Sequence, residues 1–263
     1  MSIQSGKFFL IIFIIVLISP VLTSFAIFFV DSSPVLQYEI IESYPHDTAA
    51  FTQGLILNED FLYEGTGLYG ESSIRKVELE TGKVLQQYNL PDKFFGEGIT
   101  IFNNRIYQLT WKKQTGFIYD LETFRLLDVF IYSHEGWGIT HNGEYLIISD
   151  GTSVLRFIDP LKLKEVKQIN VSDSDTPVDR LNELEYINGY IYANIWQTDI
   201  IAIIDPETGK VNSWLDLSGI LKDVKTNEKI DVLNGIAFDS ERGHLLITGK
   251  LWPKIFRIKI SEN

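Results

Sequence analysis

Cysteine is absent from all 263 residues. That removes disulfide staples, a thiol nucleophile and any zinc site built on thiolates. It leaves the compartment open, because a domain of this size buries a sufficient core without cross-links. Histidine is scarce: His46, His134, His141 and His244 are the whole set. They form no His-Glu-x-x-His pattern and no close pair, and most are expected on the surface or in turns. A P-loop, an EF-hand loop and a Gly-x-Ser-x-Gly elbow are missing too. An oxygen-liganded calcium stays open, since Asp, Asn and backbone carbonyls are plentiful. Positive charge is also short, with 23 Lys and Arg against 35 Asp and Glu and a net charge of −12. Nucleic acid is thereby excluded as a partner, because it needs basic surface to replace counterions.

One long apolar run exists. Residues 8–30, "FFLIIFIIVLISPVLTSFAIFFV", carry no charge; Lys7 precedes them and Asp31 follows. The run is long enough to span a bilayer as a helix, and its basic flank predicts an N-terminus inside and an exported remainder. It is either a cleaved signal, with Pro20 as breaker and Ser24-Phe25-Ala26 as a small-x-small site, or an uncleaved membrane anchor. The apolar "IFFV" after Ala26 favours the anchor. Residues 1–30 are thus a signal peptide or transmembrane anchor, and 31–35, with two serines and a proline, are a linker. Residues 36–263 are the folded domain, working outside the cytoplasm.

Within that domain helical periodicity is rare. Only residues 218–229, "SGILKDVKTNEK", hold a candidate helical turn, and they read as a long polar loop. Short alternating runs rich in Ile, Tyr, Phe and Val recur instead, such as "RIYQLTW", "EYLIISDG" and "YIYANIW", bounded by Gly, Asn, Asp and Pro. These are strand signals and predict an all-β domain.

The runs repeat. "TQGLIL", "GEGITI", "GWGITH", "NELEYI" and "NGIAFD" align, and one column holds Gly54, Gly98, Gly138, Glu183 and Gly235 at intervals of 40 to 52 residues. Second and third strands follow each, and mostly a fourth. Four strands in such a period predict a β-propeller, here five-bladed. The fifth unit stops at "KIFRIKI", so the opening strand "LQYEIIESY" (36–44) is expected to complete it and close the ring; an open ring leaves an unpaired edge.

Innermost strands of a propeller line its channel. The residues preceding the repeated column are Gln53, Glu97, Trp137, Asn182 and Asn234, and they are expected to converge at one mouth. Glu97 stands between Gly96 and Gly98, as a residue entering a crowded axis would. Trp111, Trp196 and Trp252 fall at or just beyond second-strand ends, so an aromatic-walled pocket is expected. Each single aromatic also has a bland reading as packing between blades, and Glu97 as a carboxylate holding backbone amides. Glu183 and Glu185, and likewise Tyr63 and Glu64, read as a second acid or as turn caps.

The ordered string "FTQGL…YEGTGLYG…GEGIT…LTWK…GWGIT…NELEYI…ANIW…LNGIAFD…ITGKLWP" resembles the plant-type glutamine cyclotransferase family, glutaminyl-peptide cyclotransferases, from about residue 36 to 260. The resemblance implies a five-bladed propeller unlike the zinc-dependent animal enzymes, no cofactor and no metal. It implies action on peptides or proteins with an N-terminal glutamine, converted to pyroglutamate with release of ammonia. The family's catalytic glutamate matches Glu97. Its pocket aromatics match Phe51, Trp111, Trp137 and Trp196, and its polar contacts match Gln53, Asn182 and Lys250. Two other readings fit a propeller: a non-enzymatic binding module, and a glycosidase, which needs paired carboxylates where only Glu97 is clearly acidic.

Overall fold

The structure is a computed structural model and describes residues 33–227 and 229–261. The expected N-terminal helix, anchor or signal, lies outside the described residues. Among the described residues every regular element is a β-strand, and 218–227 form turns with no helix. The fold is all-β and nearly closed on itself, like a barrel of sheets.

After β1 (Val35–Pro45), the chain folds into antiparallel meanders. The first is β2 (Thr52–Asn58), β3 (Phe61–Thr66), β4 (Ser73–Glu78) and β5 (Lys83–Asn89). The second is β6 (Gly96–Phe102), β7 (Arg105–Thr110), β8 (Thr115–Asp120) and β9 (Leu126–Ile131). The third is β10 (Ile139–His141), β11 (Leu146–Ser149), β12 (Val154–Asp159) and β13 (Lys164–Asn170). A small hairpin, β14 (Ser172–Asp173) with β15 (Thr176–Pro177), leads to the fourth: β16 (Leu181–Ile187), β17 (Tyr190–Ile195), β18 (Ile200–Ile204) and β19 (Val211–Asp216). The last is β20 (Leu233–Asp239), β21 (His244–Gly249) and β22 (Lys254–Ser261).

β1 supplies the missing strand. It runs antiparallel to β22 from Gln37 opposite Ser261 to Pro45 opposite Lys254. Its first residues also pair in parallel with β19, Val35 with Trp214 and Leu36 with Leu215. The two ends of the folded chain are therefore zipped into one sheet. The first strands pack on one another in turn: β2 on β6, β6 on β10, β10 on β16, β16 on β20, and β20 back on β2. Burial follows this order. β6 begins with five consecutive buried residues, whereas β5 alternates half-buried and exposed positions. An inner strand has neighbours on both faces and an outer one on a single face, hence its period of two.

Inner strands approach so closely that side chains are excluded at the crossing points. A Cβ on Gly98 would fall 2.7 Å from the Trp137 carbonyl oxygen, and one on Gly138 2.1 Å from that of Asn182. This is the physical reason for the glycine column.

Where β1 turns into β2, one histidine departs from the surface expectation. The His46 side chain is buried. Its Nδ1 donates to the Trp252 carbonyl at 2.7 Å and its Nε2 to Glu64 Oε1 at 3.0 Å. With an acceptor at each nitrogen the ring is the imidazolium. Glu64 also accepts from Thr52 Oγ1 at 2.7 Å. The turn-cap or second-acid reading of Glu64 thus gives way to a structural one: a charged pair ties the first and last meanders together. Tyr63 belongs to the core.

Candidate functional site

In an antiparallel meander the start of the first strand lies beside the end of the second. Gln53, Glu97 and Asn182 open β2, β6 and β16, and Trp137 stands just before β10. Trp111, Trp196 and Lys250 stand just after β7, β17 and β21. All of these positions meet at one mouth. With Phe51 they line one cavity of about 370 Å³, joined by Phe95, Gln197, Asp231 and Val232. All eight residues that the family resemblance implies are thus gathered at a single cavity.

One wall is a chain of aromatic edges. Phe51 meets Phe95 edge-on at 6.1 Å between centroids, and Phe95 meets Trp111 at 5.6 Å. Trp137 and Trp196 meet edge-on at 5.4 Å on another side. Such arrangements place positive ring edges on negative faces. Lys112 Nζ sits 3.9 Å above the Trp111 ring. Trp252, expected at the same end, is instead 1 % exposed in the core, where its indole donates to the Asp231 carbonyl at 2.8 Å.

The polar groups face these rings. Glu97 is 5 % exposed, and among the described residues no hydrogen-bond donor reaches its carboxylate. Burial therefore holds its carboxyl well above the ordinary carboxylate range; the Lys250 charge opposes this and the Glu135 charge adds to it. Burial pushes the Lys250 ammonium below its ordinary range, against the pull of Glu97 and Asp231. Lys250 is fixed by its backbone, which donates to the Val232 carbonyl and accepts from the Asp231 amide. Its Nζ lies 4.9 Å from the Phe51 ring centre. Gln53 is oriented from behind: Asn234 Nδ2 donates to its Oε1 at 3.2 Å and to the Thr52 carbonyl at 2.9 Å. With the oxygen so occupied, the Gln53 amide nitrogen is the group left to serve the cavity. Asn234, expected in the inner ring, is a support rather than a lining residue.

The remaining acids do not pair with Glu97. Glu183 accepts backbone N–H groups from Ile236 at 2.9 Å and Leu55 at 3.4 Å, and ties three meanders together. Glu185 accepts from Thr140 Oγ1 at 3.4 Å. Burial pushes Glu185 up to about 8. Neither lines the cavity; the second carboxylate on its lining is that of Asp231. Among the described residues no three His, Asp or Glu side chains gather as a metal site.

Sequence reasoning missed Phe95, Val232, Asp231 and Gln197, and also Glu135 behind the wall. A signal was present for three of them. Phe51, Phe95, Glu135 and Val232 each stand two residues before an inner-ring residue.

The description "glutamine cyclotransferase" belongs to the family model that matches residues 12–260. A glutaminyl-peptide cyclotransferase of Arabidopsis thaliana is 44% identical over 237 residues, 88% of this chain and 73% of that protein. Among solved structures, the crystal structure of Myxococcus xanthus glutaminyl cyclase aligns with a TM-score of 0.80 and 35% identity, covering 87% of this chain and 98% of that one. With the glycine-bracketed glutamate, the aromatic wall and the closing strand all in one molecule, these likenesses settle its membership: the chain belongs to the glutamine cyclotransferase family.

Proposed function

We propose that this chain is a glutaminyl-peptide cyclotransferase, with Glu97 as its proton shuttle, built as a five-bladed propeller and exported or anchored through residues 8–30. The carrying observation is a buried carboxylate that no donor reaches among the described residues, sharing an aromatic-walled cavity with an ammonium. The ring of five packed first strands supports the propeller.

The substrate is a peptide or protein with an N-terminal glutamine. The aromatic walls hold its side chain folded, so that the α-nitrogen lies against its own side-chain amide carbon. Ring closure is intramolecular, and positioning supplies much of the rate. At neutral pH the α-amine arrives protonated. The Glu97 carboxylate removes one proton and frees the lone pair. The nitrogen attacks the amide carbon; a C–N bond forms and the carbonyl electron pair moves to oxygen. Gln53 and Lys250 are the donors placed for that oxygen. Glu97 returns its proton to the amide nitrogen, the old C–N bond breaks and ammonia leaves. The carboxylate then takes the surplus proton from the ring nitrogen, leaving neutral pyroglutamate. A carboxyl raised by burial exchanges protons with an α-amine, whose ordinary value is near 8, at little cost.

The test is ammonia release from a short peptide with N-terminal glutamine, beside the same peptide acetylated at its α-nitrogen. Release from the free peptide alone, with equimolar pyroglutamyl product, is expected. A folded protein that binds the peptide and releases no ammonia would leave a binding module as the reading.

A further inference from the structure

Glu135 stands behind the cavity wall and holds two of its aromatics. Its Oε2 accepts the Trp111 indole N–H at 2.6 Å and the Trp137 indole N–H at 3.1 Å. The two indoles come from different meanders, one after β7 and one before β10. The backbone repeats the connection: the Gly136 amide donates to the Trp111 carbonyl at 3.2 Å, and the Gly98 amide to the Trp137 carbonyl at 2.8 Å. Glu135 is itself placed by its neighbours. His134 Nδ1 donates to the Glu135 carbonyl at 2.7 Å, and the His134 ring packs on Tyr132, whose hydroxyl donates to the Thr110 carbonyl at 2.6 Å.

We propose that Glu135 is a positioning residue of the cyclisation site, fixing Trp111 and Trp137 through one oxygen. Two donors on one carboxylate oxygen are charge-assisted bonds with directional demands, so each indole plane is fixed relative to the other. Aromatic walls that must hold a flexible glutamine side chain folded gain from such fixing. The Glu135 charge acts on Glu97 in the same sense as burial, and Lys250 acts against both. The other groups in this field are Asp231, whose charge acts on Lys250, and the Tyr132 hydroxyl, on which the Glu97 charge acts. Lys112 reaches the outer side of Trp111. The proposal rests on the cyclotransferase reading.

The test compares wild type with Glu135→Gln and Glu135→Ala. Glutamine keeps an acceptor and removes the charge; alanine removes both. In Glu135→Gln the indole N–H resonances of Trp111 and Trp137 stay near their wild-type positions and KM stays within about twofold. The limb of the kcat/KM pH profile that belongs to Glu97 moves down. In Glu135→Ala both indole resonances move upfield and KM rises about tenfold or more. A Glu135→Gln profile superimposed on wild type would overturn the charge role. Unmoved indole resonances and KM in Glu135→Ala would overturn the clamp. Should wild type release no ammonia, the cyclotransferase reading and the charge role fall together, while the indole resonances still decide the clamp.

Discussion

The Gly98 amide donates to the Trp137 carbonyl across 2.8 Å. The residue after the buried carboxylate is thus joined to the residue that carries a cavity wall, and the two meanders meet there backbone to backbone. A methyl group at Gly98 would sit 2.8 Å from Gly138 Cα and closer still to the Trp137 oxygen. Backbone cannot swing aside as a flexible side chain can. Gly98→Ala is therefore expected to lower stability by roughly 1–3 kcal/mol and to move Glu97 off its place. Urea unfolding measures the first and ammonia release the second. An unchanged midpoint would show that the crossing has slack.

The Gln53 amide is held by Asn234, which the cavity does not touch. Asn234→Ala removes the donor to Gln53 Oε1 and leaves that side chain free to rotate. The expected outcome is a fall in kcat/KM of about tenfold. Asn234→Ser, which keeps a donor hydroxyl, should recover part of it. Equal losses in both variants would contradict the orienting role.

The glycine column, the inner ring and the closing strand were legible because each leaves a local mark. Glycine marks close backbone approach, and a strand without partners in its own unit marks a ring in need of closure. Glu135 left only its two-residue offset from Trp137. Its sequence neighbours announce Trp137, but Trp111 is 24 residues away and reaches it only once two sheets are stacked. The burial of His46 left no mark for a similar reason: its hydrogen-bonded carboxylate, Glu64, arrives from β3. Trp252 follows β21 by three residues, where Trp111 and Trp196 follow β7 and β17 by one, and its indole turns into the core, where the Asp231 carbonyl waits as acceptor. Position on a strand gives a residue's end of the sheet. Side-chain direction beyond the strand end depends on the loop that follows.

The His46–Glu64 pair predicts a pH window of stability. Burial alone would push the His46 imidazolium down, but the Glu64 charge and hydrogen bond raise it above its ordinary 6.5. Its contribution is fully present below about 6.5 and is lost as pH rises through the folded-state value. Burial pushes Glu64 up, while His46 and Arg75 bring it below its ordinary 4.5. Its contribution is present above about 4.5 and is lost as pH falls through the lowered value. The pair therefore stabilises most between about 4.5 and 6.5. His46→Ala leaves a buried carboxylate with less compensation and should cost about 3–5 kcal/mol. In urea unfolding from pH 4 to 9, wild type should lose stability above the window relative to His46→Ala. Parallel curves for the two proteins would show that the pair carries no charge.

The chemistry turns on one carboxylate, and Glu97→Gln tests it most directly. Glutamine fills nearly the same volume and cannot exchange the proton. Ammonia release from a peptide with N-terminal glutamine should fall by about 10³-fold or more, and Glu97→Asp, with a shorter reach, should also lose most activity. Thermal unfolding of Glu97→Gln should stay cooperative, with a midpoint no lower than wild type, since a costly buried ionisable group is gone. Turnover within about threefold of wild type in a folded Glu97→Gln protein would contradict the proton shuttle and move the chemistry elsewhere.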